Sequence, residues 1–222
     1  GRAPFQIDVE KLPDYLGPAK NHEEDYTVDT DLPGVVSGLA WTPAGGEVLV
    51  IEATKMRGEG LQLTGQLGDV MKESATIALS YVRAHAADWK IDEMLFGEQA
   101  LHVHLPAGAV PKDGPSAGVG LALSLLSLLS GRPVRSDVAV TGELTLRGRV
   151  LPVGGIEQKV LAAKRAGKTT IILPHRNARD LDELTPDVRE ALDFVFVDHF
   201  EEAVATALRE PRTDQPLAER TD

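Results

Sequence analysis

From Pro33 onward apolar and polar residues fall in short blocks, and the period of the pattern changes several times before the chain ends. Val35 to Trp41 and Val48 to Thr54 are β-rich runs separated by Pro43-Ala44-Gly45-Gly46, which predicts a hairpin. Leu61 to Thr64 predicts a further short strand. From Asp69 to about Ala87 the spacing is that of a helix, with Asp69 as its cap and Val70, Ile77, Ala78 and Tyr81 on one face. Leu101-His102-Val103-His104-Leu105 alternates as a half-buried strand. A loop from Pro106 to Pro115 leads into a helix from Ser116 to about Ser130 that is apolar nearly all round.

Strands at Val138 to Leu144 and Arg149 to Val153 flank a turn at Arg147-Gly148. Then follow a helix from Gly155 to Ala166, a strand from Thr169 to Leu173 and a short helix from Ala178 to Leu184. Phe194 to Val197 is the last strand and Phe200 to Leu208 the last helix. Strands and helices mixed in this way predict an α+β fold of short mixed sheets with packed helices. Residues 1–31 read as an approach segment, residues 32–209 as the compact domain, and the polar residues 210–222 as a disordered tail. No internal repeat is visible.

A chain of 222 residues supports one large domain or one domain with appendages. Gly1 stands where a complete chain carries methionine, so the sequence reads as a piece of something longer. It has no uninterrupted apolar run near the ~20 residues of a membrane span, and no basic flank with an apolar run at its start. Cysteine is absent, which removes disulfides, thiol nucleophiles and cysteine-ligated zinc, and fits a reducing compartment. A net charge of -11 argues against a phosphate-binding surface, so nucleic acid is not expected as a partner.

The most informative segment is Lys112-Asp113-Gly114-Pro115-Ser116-Ala117-Gly118. Gly114 and Pro115 set a tight turn, and the apolar helix begins at once. Ser116 therefore stands at a helix N-terminus, where unpaired amides favour the oxyanion of a tetrahedral intermediate. Serine is equally a favoured helix cap, so the turn alone does not make it a nucleophile. The run Gly114-x-Ser116-x-Gly118 also fits the nucleophile elbow of α/β-hydrolases. That elbow needs a strand running straight into the serine, whereas some ten loop residues precede this one.

Among possible bases, His102 and His104 share a strand face, and their ordinary reading is polar residues beside a cleft. As zinc ligands the pair lacks a third partner. His22, His85, His175 and His199 read as surface or helix-end residues. Lys159 is more unusual, because it shares the apolar face of its helix with Ile156, Val160 and Ala163. Either it snorkels to solvent or it is enclosed. A lysine at its ordinary pKa near 10.4 is neutral only about one part in 2,500 at pH 7. Enclosure lowers the pKa, and a shift of about three units costs roughly 4 kcal/mol. Such an amine takes the proton of Ser116 and returns one to a leaving amine. Thr141, at a strand end before Gly142-Glu143, is placed to orient it, and Asp113 either shapes the cleft or only forms the turn.

The run from His102 through Leu105-Pro106-Ala107-Gly108-Ala109-Val110-Pro111 to Gly118, with the run from Thr141 to Lys159, closely resembles the active-site region of the Lon ATP-dependent proteases. The resemblance extends over roughly Pro33 to Leu208. It implies a serine endopeptidase with a Ser–Lys dyad at Ser116 and Lys159 and with Thr141 against the lysine. Asp113, Glu143, His102, His104, Gly114, Pro115 and Ala117 are its expected supporting residues. It implies a mixed α/β fold and a hexameric ring around a chamber. Its substrates are damaged, unfolded or tagged proteins in the bacterial cytoplasm or an organelle. The histidine pair and Trp41 fit the bacterial branch, and residues 1–31 resemble the end of the preceding helical subdomain.

The family carries an ATPase module upstream, so ATP and magnesium are expected for the full-length protein and no cofactor or metal for this piece. Gly167-Lys168-Thr169 lacks the earlier glycine of a phosphate loop, since Ala162 stands there, and Gly167 reads as a helix C-cap. Other Ser–Lys hydrolases fit less well. A self-cleaving repressor lacks the long run above, and the β-lactamase type needs a lysine three residues after its serine. A non-catalytic binding module on the same fold is the remaining alternative.

Overall fold

A computed structural model describes residues 8–17, 32–42, 45–106 and 111–210. Its strands are β1 (Val35–Thr42), β2 (Gly45–Arg57), β3 (Leu61–Thr64), β4 (Gln99–His104), β5 (Val138–Val140), β6 (Glu143–Leu144), β7 (Val150–Leu151), β8 (Thr170–Pro174) and β9 (Asp193–Val197). Its helices are α1 (Leu12–Leu16), α2 (Asp69–Ala84), α3 (Leu95–Glu98), α4 (Gly118–Ser130), α5 (Ile156–Arg165), α6 (Pro186–Glu190) and α7 (Phe200–Ala207). One seven-stranded mixed sheet runs in the order β3-β4-β2-β1-β5-β8-β9, and β6 and β7 form a separate antiparallel pair. The expected mixed α/β architecture is present. The approach segment contributes α1, none of whose side chains is buried. The expected tail beyond Glu210 and His22 lie outside the described residues.

Strand alternation divides the core into two layers. Val36, Ile51, Val140 and Ile172 face a large cluster with α2, α4 and α7. Leu39, Ala139, Ile171 and Leu173 face a smaller cluster with Ile156, Val160 and Ala163 of α5. The α4 helix is buried almost completely, as its uniform apolarity requires. The β1–β2 hairpin pairs Val35 with Glu52 through Thr42 with Gly45. β2 then runs to Arg57, further than expected, because β4 pairs with its second half.

Several elements differ from expectation. Val70 is 43% exposed, and the inward face of α2 is Met71, Ser74, Ala75, Ala78, Tyr81 and Val82. The N-cap position of α2 is Gly68, not Asp69. The helix stops at Ala84, and Ala86–Trp89 is a separate 3-10 turn. The expected strand from Val138 to Leu144 breaks at Thr141-Gly142, where Gly142 N donates to Ser116 O at 2.9 Å instead of to a strand. The helix expected over Ala178 to Leu184 is a 3-10 segment, His175–Glu183, and α3 and α6 carry no clear periodicity in so few residues.

Candidate active site

The C-terminal end of β5 is where the candidate residues gather. β5 ends at Val140, and Thr141 continues the alternation that points Ala139 toward α5. Thr141 is buried and its amide still bonds the sheet through Ile172 O at 3.2 Å. One residue later the backbone turns onto the start of α4. Val119 N donates to Gly142 O at 3.0 Å. A side chain on Gly118 would stand 2.9 Å from Leu144 N, so this approach requires glycine.

Ser116 lies in a 3-10 turn, Pro115–Ala117, that opens directly into α4. Gly114 holds φ 119° and ψ 160°, a conformation that disfavours any side chain, and Pro115 pre-sets the turn. The serine is entered from a loop, whose last bridge pairs Lys112 with Leu67, and not from a strand. Ser116 is half-buried at the helix's first turn, where amides precede the intrahelical ladder. Ala117 is buried and belongs to the core that anchors this turn.

Lys159 comes from the opposite face of the sheet. It sits on the buried stripe of α5 with Ile156, Val160 and Ala163, and is itself only 2% exposed. Its Nζ donates to Thr141 Oγ1 at 3.0 Å. The Thr141 hydroxyl lies 3.3 Å from Ser116 O and 3.5 Å from Leu39 O, two carbonyls that compete for its one proton. Burial lowers the amine's pKa to about 8, with no charged neighbour contributing among the described residues. The lysine does not snorkel. Its hydrogen-bond link to Ser116 runs through Thr141 to the serine's carbonyl, not to its hydroxyl. Catalytic hydrogen bonds often close only when substrate is bound.

Asp113 does more than form a turn. Its Oδ1 accepts from Met71 N at 2.9 Å and from its neighbour Gly114 N at 2.8 Å. It therefore caps α2 across the loop, in the place where Asp69 was expected to act. A side chain on Gly68 would lie 2.3 Å from Asp113 Cγ, so the bare glycine admits the carboxylate. Gly68 N donates to Lys112 O at 2.8 Å, which fastens the same loop a second time. No local pattern announces this cap, because its donor is 42 residues away.

The histidines stand apart from the lysine. Both bond one hydroxyl, with Thr64 Oγ1 at 2.9 Å from His102 Nε2 and 2.7 Å from His104 Nδ1. No group of three His, Cys, Asp or Glu converges on a metal position among the described residues. Glu143 is half-buried opposite Leu151 in the β6–β7 pair and makes no side-chain hydrogen bond among the described residues. Gly167 ends α5 with φ +69°, Lys168 Nζ is committed to Ser136 O at 2.8 Å and Thr169 Oγ1 to Asp137 at 3.1 Å. A helix C-terminus presents carbonyls, so these residues do not fit a nucleotide phosphate. No helix among the described residues is long and apolar enough to cross a membrane.

The sequence matches the family model of the Lon protease (S16) C-terminal proteolytic domain over residues 6–210. It is 53% identical over 216 residues to Lon protease 1 of Herpetosiphon aurantiacus, covering 97% of this chain and 26% of that protein. It is 55% identical over 204 residues to Lon protease of Desulfosudis oleivorans, covering 91% and 25%. Against Lon protease of Anaeromyxobacter dehalogenans it is 56% identical over 205 residues, covering 92% and 24%. The chain thus spans about a quarter of the length of these relatives.

Proposed function

The chain belongs to the Lon protease family as its proteolytic domain, and from that premise we propose that it cuts peptide bonds with Ser116 as nucleophile and Lys159 as general base. The observation that carries this reading is a lysine 2% exposed, whose amine among the described residues bonds only a threonine that in turn bonds the serine's backbone. An amine with a pKa of about 8 is neutral in about a tenth of molecules at pH 7, some two orders of magnitude more than an ordinary lysine.

In the first step the Ser116 Oγ attacks the scissile carbonyl carbon while its proton passes to the Lys159 amine. Amides of the first turn before α4 stabilise the oxyanion. Collapse of the tetrahedral intermediate breaks the C–N bond, and the lysine ammonium gives its proton to the leaving amine. Water then attacks the acyl-serine with Lys159 again as base, releasing the new carboxylate and restoring the serine. Thr141 orients the amine, and Asp113, with Gly114 and Pro115, holds the serine turn. Among the described residues His102, His104 and Glu143 make no hydrogen bond to the dyad; Glu143 stands on β6, which packs against the serine turn, and the three act as lining.

For the whole protein we propose an ATP-dependent endopeptidase that degrades damaged, unfolded or tagged proteins in the bacterial cytoplasm as a hexameric ring. ATP and magnesium are proposed to act outside this chain, since among the described residues Gly167-Lys168-Thr169 does not fit a phosphate. Nucleic acid and membranes are not among its proposed partners.

Peptide hydrolysis by this chain tests the dyad. Ser116→Ala abolishes cleavage and labelling by a peptide boronate while the fold persists. Lys159→Arg is also inactive, because a guanidinium keeps its proton at working pH. Full cleavage by Ser116→Ala, or near-normal rates in Lys159→Arg, refutes the assignment and leaves a non-catalytic module or another base.

A further inference from the structure

We propose that Gly46, at the start of β2, is a positioning residue for Lys159, because its missing side chain lets α5 sit close enough for the amine to reach Thr141. The proposal rests on the dyad reading above. A Cβ built on Gly46 would lie 1.8 Å from Gln158 O, 2.3 Å from Gln158 C and 2.9 Å from Lys159 N. All three atoms are backbone, so no rotamer relieves the clash. Ordinary contact begins near 3.4 Å, and α5 would have to retreat by more than about 1 Å.

The neighbouring glycine shows a different requirement. Gly45 has φ +122° with nothing within 4 Å of its Cβ, so glycine serves conformation there. At Gly46 it serves space, and the space is occupied by the peptide that precedes the lysine. Two further contacts make this hairpin rung the seat of the helix. Trp41 pairs with Gly46, and a Cβ on Gly155 would lie 2.8 Å from the Trp41 Cβ. At the other end of α5, Arg165 Nη2 donates to Gly46 O at 3.0 Å. The helix is therefore gripped at its start, at Gln158 and at its last residue by one rung. Lys159 projects from the gripped turn toward Thr141, which is fixed separately by β8. Sliding α5 away from the rung opens the 3.0 Å amine contact and admits water to the amine.

Steady-state peptide hydrolysis across pH, with thermal unfolding of the same samples, tests this. Gly46→Ala is compared with Gly154→Ala, where a Cβ meets nothing within 4 Å. Gly46→Ala should fold, lose roughly a hundredfold in kcat, the scale of a misplacement near 1 Å, and keep KM within about twofold. The rising limb of its pH–rate profile should move to higher pH, since an amine returned toward water regains its proton affinity. Gly154→Ala should match the parent chain. If folded Gly46→Ala keeps the parental kcat or the parental limb, the proposal is overturned. Should Gly46→Ala not fold, Arg165→Gln carries the test, with a few-fold loss of kcat and the same direction of limb shift expected, and an unmoved limb fatal. Activity surviving Ser116→Ala or Lys159→Arg would instead remove the dyad itself, a separate outcome from an unmoved Gly46→Ala profile in a dyad-dependent enzyme.

Discussion

The helices α4 and α5 approach Thr141 from opposite faces of the sheet and hold their key residues in opposite ways. Ser116 is placed by its neighbours, with Gly114 supplying the positive φ, Pro115 the turn, and a uniformly apolar helix the anchor. Lys159 is turned inward by the apolar stripe of α5, but nothing local fixes how deep its amine sits. Its depth and partner are set by contacts distant in sequence, from the β1–β2 hairpin and from Thr141. The serine is an ordinary helix-start residue that costs the fold little. The lysine is a cation held where a cation is unfavourable, and reactivity is expected on that side at the expense of stability.

The largest effect that could break this contrast is on stability at Lys159. Its folded pKa of about 8 lies below the ordinary lysine value, so protonation favours the unfolded chain. The penalty is full below pH 8, shrinks as pH rises toward about 10.5, and disappears above it. At pH 7 it amounts to about 3 kcal/mol. Lys159→Met should therefore abolish cleavage and yet raise the unfolding free energy by up to about 3 kcal/mol at pH 7, with the gain gone near pH 10.5. Denaturant titrations at the two pH values measure it. A variant less stable than the parent at pH 7 would mean that the lysine is not strained in place.

Thr141→Val removes the hydroxyl shared by the amine and the serine's carbonyl. It should lower kcat about 10- to 100-fold and cost about 1–2 kcal/mol, because the buried amine loses its partner. Kinetics that survive intact would show that the amine is oriented from elsewhere.

The smallest expected effect is on the serine side. Asp113→Ala removes the cap on α2 and should cost about 1 kcal/mol with a loss of rate smaller than that of Thr141→Val. Asp113→Asn, which keeps an acceptor oxygen, should recover much of the stability. If Asp113→Ala proves the more damaging of the two in rate, the serine turn is held by the α2 contact and is not local.

The same division decides what the sequence made legible. The hairpin, β3, the apolar α4 and the amphipathic α5 all follow from period and turn chemistry, and Lys159 stood out as one cation on an apolar stripe. The face expected for α2 holds at Ala78 and Tyr81, both buried, and fails at Val70, which fits a helical period equally well; packing adds Met71, Ala75 and Val82 to the inward side. The break of the strand at Thr141-Gly142, the cap supplied by Asp113 and the seat at Gly46 depend on partners tens of residues away. No local pattern encodes them. The candidate serine and lysine, and the Lys159–Thr141 contact, were thus legible in the sequence, while the Asp113 cap and the Gly46 approach were not.

The central claim is a buried amine that is neutral far more often than an ordinary lysine. Titration of the Lys159 side chain by NMR, using selectively labelled lysine and Lys159→Met to assign the signal, measures it directly. A transition near pH 8 is predicted. A transition at the ordinary value of a lysine in water, about 10.4, would contradict the account.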